Sequence, residues 1–281
     1  MKNLIARTIT GVLFVACVVA SFFNPLAMTV LFALVTCLSV WEFSGLVNQR
    51  EGVTVNRFIT TTAACYFYLA MAGFSSGITP PTVFIPYLIT IVYLLVAELY
   101  AKQPDPINNW AYTMMSQLYI ALPFSLLNVL AFHNTADGIS FTSLLPLSVF
   151  VFLWVSDTGA YCCGSLLGRH KLFPRISPGK SWEGSVGGGL FVLVAAALIW
   201  HYFGQEGPDS RLSLCEWLGL GLTVTVFGTW GDLVESLFKR TLGIKDSGNI
   251  LPGHGGMLDR FDSSLLAIPA AVVYLFTLTL F

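Results

Sequence analysis

The chain has 281 residues, of which 55% are hydrophobic and only 10% charged, and its mean hydropathy is +0.74. That is more apolar material than a soluble domain needs to fill its core, so the composition excludes an ordinary soluble enzyme and points to an all-α, polytopic integral membrane protein. A formal net charge of −1 offers no basic field to a polyanion, and no nucleic-acid partner is expected.

A hydrocarbon core of roughly 30 Å takes about 20 apolar residues per helical span. Nine such stretches are predicted in chain order, at about 8–23, 27–46, 58–74, 82–100, 112–132, 143–166, 186–203, 218–238 and 262–280. Lys2 and Arg7 ahead of the first stretch resemble the start of a signal peptide. No small-x-small cleavage site follows and eight further spans come after, so an uncleaved first helix is expected. Residues 1–140 then form an N-terminal membrane region without an assigned role. Residues 141–281 form a C-terminal catalytic region with cytosolic loops at 168–185 and 240–260. The six cysteines fall mostly inside spans, show no metal-ligand spacing and read as small packing residues, with the vicinal Cys162-Cys163 the one hint of redox chemistry. His133, His170 and His201 sit near span ends without partners and read as interfacial residues.

Placing the N-terminus in the cytoplasm puts every lysine and arginine except Arg211 on the inner face, as the positive-inside bias requires. The polar segments at 168–185 and 240–260 then share the cytosolic side, where a charged soluble substrate reaches them.

Ionisable residues inside a bilayer cost about 2.5–3.5 kcal/mol each on insertion scales and are functional candidates. Asp157, in "SDTGAY", stands near the inner end of the sixth span. The segment "GRHKLFPRISPGKSWEGS" that follows lacks the first glycine of a Walker A loop and has no strand before it, but Ser177, Gly179, Lys180 and Ser181 suit contact with a phosphate or pyrophosphate. In "GTWGDLVESLFKR", helical spacing aligns Asp232, Glu235, Ser236 and Lys239 on one face. The plainer reading is an intrahelical network in which Glu235 pairs with Lys239. Asp259 and Asp262, three apart, are expected on one face as the ninth helix begins. With Asp232 they form a set of oxygen ligands suited to Mg²⁺, although helix-start acids complementing the macrodipole would look the same. Between them, Gly253, Gly255 and Gly256 let backbone N–H groups approach an anion, and Lys239, Arg240, Lys245 and Arg260 neutralise phosphate charge.

The run Ser236-Leu-Phe-Lys239-Arg240, then Lys245-Asp246, Pro252-Gly-His254-Gly-Gly and Asp259-Arg260-Phe-Asp262 resembles, without departure, the signature of the phosphatidate cytidylyltransferase (CDP-diacylglycerol synthase) family. The likeness is strong over about residues 150–263; "WEF" at 41–43 and the hydropathy carry it through the N-terminal half. It implies the reaction of CTP with phosphatidate to give CDP-diacylglycerol and pyrophosphate, a requirement for Mg²⁺ with room for a second, monovalent cation such as K⁺, and a homodimer in the cell membrane with its site facing the cytoplasm. Carried over, Asp232, Asp259 and Asp262 are the metal carboxylates, and Lys239, Lys245 and Asp246 lie near the nucleotide phosphates. Ser236, Arg240, His254 and Arg260 join Asp157, Ser177, Lys180 and Ser181 as substrate contacts. Phosphatidate is already ionised near neutral pH, so no strong general base is needed, and His254 is expected to position the loop. A cation-coupled transporter would account for Asp157 and Asp232 but not for basic, glycine-rich loops gathered on one side. The aspartate motifs of CDP-alcohol phosphatidyltransferases and polyprenyl transferases do not occur.

Overall fold

The computed structural model describes residues 2–135, 138–205, 212–248, 250 and 255–278. In chain order the helices are α1 (Lys2–Ser21), α2 (Pro25–Val47), α3 (Arg57–Ser75), α4 (Ile85–Ala101), α5 (Pro106–Ser116), α6 (Leu122–Ala131), α7 (Leu144–Leu167), α8 (Trp182–Tyr202), α9 (Leu214–Thr241), α10 (Leu258–Phe261) and α11 (Ser264–Thr277). A 3₁₀ turn at Pro81–Phe84 leads into α4, and a π turn at Gln117–Ala121 joins α5 to α6. Two short antiparallel pairs complete the secondary structure, β1 (Phe132–Thr135) with β2 (Gly138–Phe141) and β3 (Lys171–Phe173) with β4 (Ser177–Ser181).

Among the described residues, eight helical segments are long and apolar enough to cross a membrane, beginning with Pro25–Val47 and ending with Leu258–Thr277, and Thr10–Ser21 of α1 adds a shorter apolar stretch. The chain is an all-α, multi-pass membrane protein. Four of its helices start where a polar side chain takes up otherwise unpaired N–H groups. Asn24 accepts from Leu26 and Ala27, Asn56 from Ile59, Asp105 from Asn108 and Ser181 from Gly184, with Pro25 and Pro106 pre-set for the first turn.

The chain divides into two compact units, Met1–Asn128 with Thr241–Phe261, and Val129–Arg240 with Asp262–Phe281. The core of the first is aromatic. Phe32 lies 5.5, 6.2 and 5.9 Å from the ring centroids of Phe22, Phe124 and Phe261, and Phe261 meets Phe14 and Phe124 edge-on at 5.5 Å. Phe261 thereby seats α10 on α2. In the same unit the buried Gln117 donates to the Thr60 carbonyl at 3.1 Å, so its amide is satisfied inside the helix packing. Helix α4 is the opposite case: Ile85, Leu88, Ile89, Val92 and Leu99 are exposed, an apolar face suited to lipid.

In the second unit α7 and α8 pack closely because glycines line their contact. A Cβ at Gly188 would stand 2.6 Å from the Ser156 carbonyl oxygen, one at Gly184 would stand 2.8 Å from that of Ala160, and Gly187 lies against Cys163. All six cysteines are free thiols, and Cys163 is a packing residue, as its position inside a span suggested.

Two sequence expectations change. The segment 168–185 is not a plain loop: it folds as the β3–β4 hairpin, and α8 begins at Trp182. The last span is not one continuous helix, because a two-residue turn at Asp262 and Ser263 separates α10 from α11. The Asp262 carboxylate accepts the Ser263 N–H at 2.6 Å, a local bond that competes with helical pairing. Asp259 and Asp262 therefore do not share the face of a single helix.

Gly188→Val is expected to destabilise the protein by about 1–3 kcal/mol through overpacking, measured as a lower Tm in detergent. Val194→Leu, at an exposed apolar position of the same helix, is expected to leave Tm unchanged.

Candidate active site

Four parts of the second unit carry polar side chains to one place: the C-terminal half of α7, the β4–α8 junction, the C-terminal half of α9 and the turn before α11. A cavity of about 370 Å³ lies among the first three, lined by Asp157, Tyr161, Lys180, Ser181, Ser185 and Thr229 among others. Ser181 is buried, and its hydroxyl accepts the Gly184 N–H at 3.1 Å as the N-cap of α8. That cap fixes the strand end and with it Lys180, one residue earlier.

The Lys180 ammonium pairs with Asp232 Oδ2 at 2.5 Å, with side-chain exposures of 24% and 28%. Ser236, one turn along α9, donates to Asp232 Oδ1 at 3.1 Å. Both oxygens of Asp232 are thus engaged, one by a cation and one by a hydroxyl. Lys239 donates to Glu235 Oε2 at 3.0 Å, and Glu235 is fully buried. The predicted stripe on α9 exists, and the Glu235–Lys239 part of it is the intrahelical pair of the plainer reading. Gly231 completes the arrangement: a Cβ there would stand 2.7 Å from the Asp262 carbonyl oxygen and 2.9 Å from that of Ser263, so only glycine lets the turn rest on α9. The Asp262 carboxylate lies in the fields of Asp232 and Lys239. Asp157 lies in those of Lys180 and Asp232.

Asp157, Asp232, Glu235 and Asp262 form one electrostatically linked group with Lys180 and Lys239, in which carboxylates outnumber ammonium groups. The donors are all oxygens and the excess charge is negative, which fits a hard cation. Among the described residues no three His, Cys, Asp or Glu side chains converge closely enough to enclose an ion. A closed protein cage is the habit of other metals; Mg²⁺ takes one or two carboxylates and completes its shell with water and substrate phosphates.

Other predicted residues stand apart from the cavity lining. Ser177 opens β4 opposite Phe173. Arg240 is exposed near the end of α9. In the first unit Lys245, Asp246 and Arg260 are exposed. Asp259 Oδ2 accepts the N–H groups of Ser247 at 2.8 Å and Gly256 at 2.9 Å. Gly255, at φ +84°, lies so close that a Cβ would stand 2.6 Å from that oxygen. The Gly256 N–H, expected to face a phosphate, is given to a carboxylate of the chain itself. His254 and Gly253 lie outside the described residues.

The sequence reading missed two acids. Glu183, in the first turn of α8, accepts the N–H groups of Arg169 at 3.1 Å and His170 at 3.2 Å and shares a 2.6 Å hydrogen bond with His170 Nδ1, so His170 has a partner after all. Glu42 is the lone charged residue of α2, a signal the rule for ionisable residues in spans would have caught.

The sequence model of the cytidylyltransferase family matches residues 5–278. A phosphatidate cytidylyltransferase of Haemophilus influenzae is 30% identical over 277 residues, covering 94% of this chain and 95% of that one. A protein of the same name from Staphylococcus aureus is 42% identical over 159 residues, 57% of this chain and 56% of that one. One from Staphylococcus haemolyticus is 39% identical over 186 residues, 65% of each. The likeness therefore extends through the N-terminal helices, where the sequence reading found little beyond hydropathy and "WEF". This multi-pass membrane chain, with its paired lysines and carboxylates at the ends of apolar helices, belongs to the cytidylyltransferase family of nucleotidyltransferases.

Proposed function

We propose that the chain transfers the cytidylyl group of CTP to phosphatidate, giving CDP-diacylglycerol and pyrophosphate for phospholipid synthesis, at the cytoplasmic face of the cell membrane and as a homodimer. The observation that carries the reading is the Lys180–Asp232 pair beside a cavity in a nucleotidyltransferase. Both substrates are anions, so the site must neutralise charge and align two phosphates.

A phosphatidate oxygen attacks the α-phosphorus of CTP in line, the new P–O bond forms, and the bond to the β-phosphate oxygen breaks. The attacking phosphate is already ionised, so no side chain has to remove a proton. Lys180 holds Asp232 in the free protein, and an arriving polyphosphate gives its ammonium a second anion to bind. Ser236 keeps Asp232 oriented through its other oxygen. Lys239 is braced by Glu235 and adds positive charge one turn further along α9. Asp232 and Asp262 would hold Mg²⁺, and the resemblance assigns Asp259 to the same ion. When bound, that ion supplies charge neutralisation for the phosphates and the departing pyrophosphate. The diacyl tails of phosphatidate stay among the helices, and the headgroup comes to their polar ends.

Purified protein given labelled CTP and phosphatidate in micelles is expected to release one pyrophosphate per liponucleotide, and chelation of Mg²⁺ with EDTA to stop it. Absence of liponucleotide under these conditions would overturn the assignment. Lys180→Ala is expected to lower kcat/KM for CTP by about 100-fold or more, the order seen when one charge-stabilising donor is removed, without lowering Tm by more than a few degrees. Asp262→Asn and Asp259→Asn are each expected to abolish turnover with expression unchanged. Near-normal rates in both would reject the metal assignment.

A further inference from the structure

Helix α2 belongs to the N-terminal membrane region, which the reaction above leaves without a task, yet it carries one carboxylate at Glu42. Glu42 is 8% exposed. Its Oε2 accepts the Leu258 N–H at 2.9 Å and the Ser247 hydroxyl at 3.3 Å, across 216 and 205 residues of sequence. Its other oxygen has no hydrogen-bond partner among the described residues. Two glycines are shaped around it. A Cβ at Gly256 would stand 2.6 Å from Oε2, and one at Gly248 would run into Oε1. Ser247 is gripped from both sides, its hydroxyl by Glu42 and its N–H by Asp259.

An ionisable side chain this deep in an apolar helix is costly, and an incompletely satisfied one more so. A purely structural tie between α2 and the 245–258 segment would be cheaper with apolar contacts, such as those of Phe261 with Phe32. What a carboxylate adds is direction: it accepts two specific donors, the Ser247 hydroxyl and the Leu258 backbone N–H. We propose that Glu42 is a positioning residue for cytidylyl transfer, which acts by clamping the chain at Ser247 and Leu258 and so setting Lys245, Asp246 and Asp259. The inference rests on the proposed function for its activity readout and on geometry for the rest.

The test uses the full chain purified in detergent, with Glu42→Ala, Glu42→Gln, Gly248→Ala and the Glu42→Ala/Gly248→Ala double variant. Amide hydrogen exchange over residues 255–260, Tm and CTP turnover are measured on each. In Glu42→Ala, exchange at Leu258 is expected to rise about tenfold or more, and kcat to fall about 100-fold, the cost of a small misplacement in a site. Glu42→Gln, whose amide oxygen still accepts from Leu258, is expected to recover most of that loss. Gly248→Ala is expected to lower kcat about tenfold in the parent chain and to add nothing in the Glu42→Ala chain, because the atom it strikes is gone. Unchanged exchange at Leu258 in Glu42→Ala, or full multiplication of the two penalties in the double variant, overturns the proposal. A Gln variant as poor as Ala also overturns it. Should Glu42→Ala fail to fold, Glu42→Gln and Gly248→Ala carry the decision. If the parent chain makes no liponucleotide, the proposed function fails while the exchange measurements still judge the clamp.

Discussion

An ammonium and a carboxylate at the ends of apolar helices offset each other's charge, and the part-exposed contact between Lys180 and Asp232 is the one on which the caps and glycines of the second unit converge. Lys180 cannot reach Asp232 unless β4 ends where it does, and β4 ends there because Ser181 caps α8. Helix α8 in turn lies close against α7 because Gly184 and Gly188 bring the two backbones together. On the other side, Gly231 admits the turn at Asp262 beside the same carboxylate. A chain of small residues and caps thus delivers one lysine, one hydroxyl and several acids to a common place. The pair is also reactive in a useful sense. Each partner is part-exposed, so a phosphate can compete for the lysine and a cation for the aspartate, and a fully buried pair would forbid both exchanges.

The spans were legible in the sequence because a bilayer imposes their length, and no later packing event can change that requirement. The α9 stripe was legible for a similar reason: once a helix is fixed, Asp232 and Ser236 must share a face, and they hydrogen-bond. The break at Asp262 was not legible. It depends on a bond to the next N–H and on Gly231 from a preceding helix, neither of which leaves a trace in the hydropathy of 262–280. The hairpin at 171–181 escaped notice because its strands are three and five residues long, too short to show alternation.

The described part of the glycine-rich signature segment shows which anions of the chain itself its donors meet in the free protein. Glycine there does bring backbone N–H groups close to an anion, as expected of a phosphate-binding turn. In the free protein the anions are Asp259, which accepts the Ser247 and Gly256 N–H groups, and Glu42, which accepts the Leu258 N–H and the Ser247 hydroxyl. The partners of Glu42 lie more than two hundred residues away in sequence, so no local pattern announces them. The family match through residues 5–278 takes in the N-terminal helices as well as the signature.

The central claim is that Lys180 leaves Asp232 for the phosphates of a nucleotide bound in the α7–α8–α9 cavity. A structure of the full chain determined with CTP and Mg²⁺ tests it most directly. The account predicts the triphosphate over Asp157 and Lys180, with the Lys180 ammonium on a phosphate oxygen and Asp232 released toward the cation. A nucleotide bound elsewhere, with the Lys180–Asp232 contact intact, would contradict it.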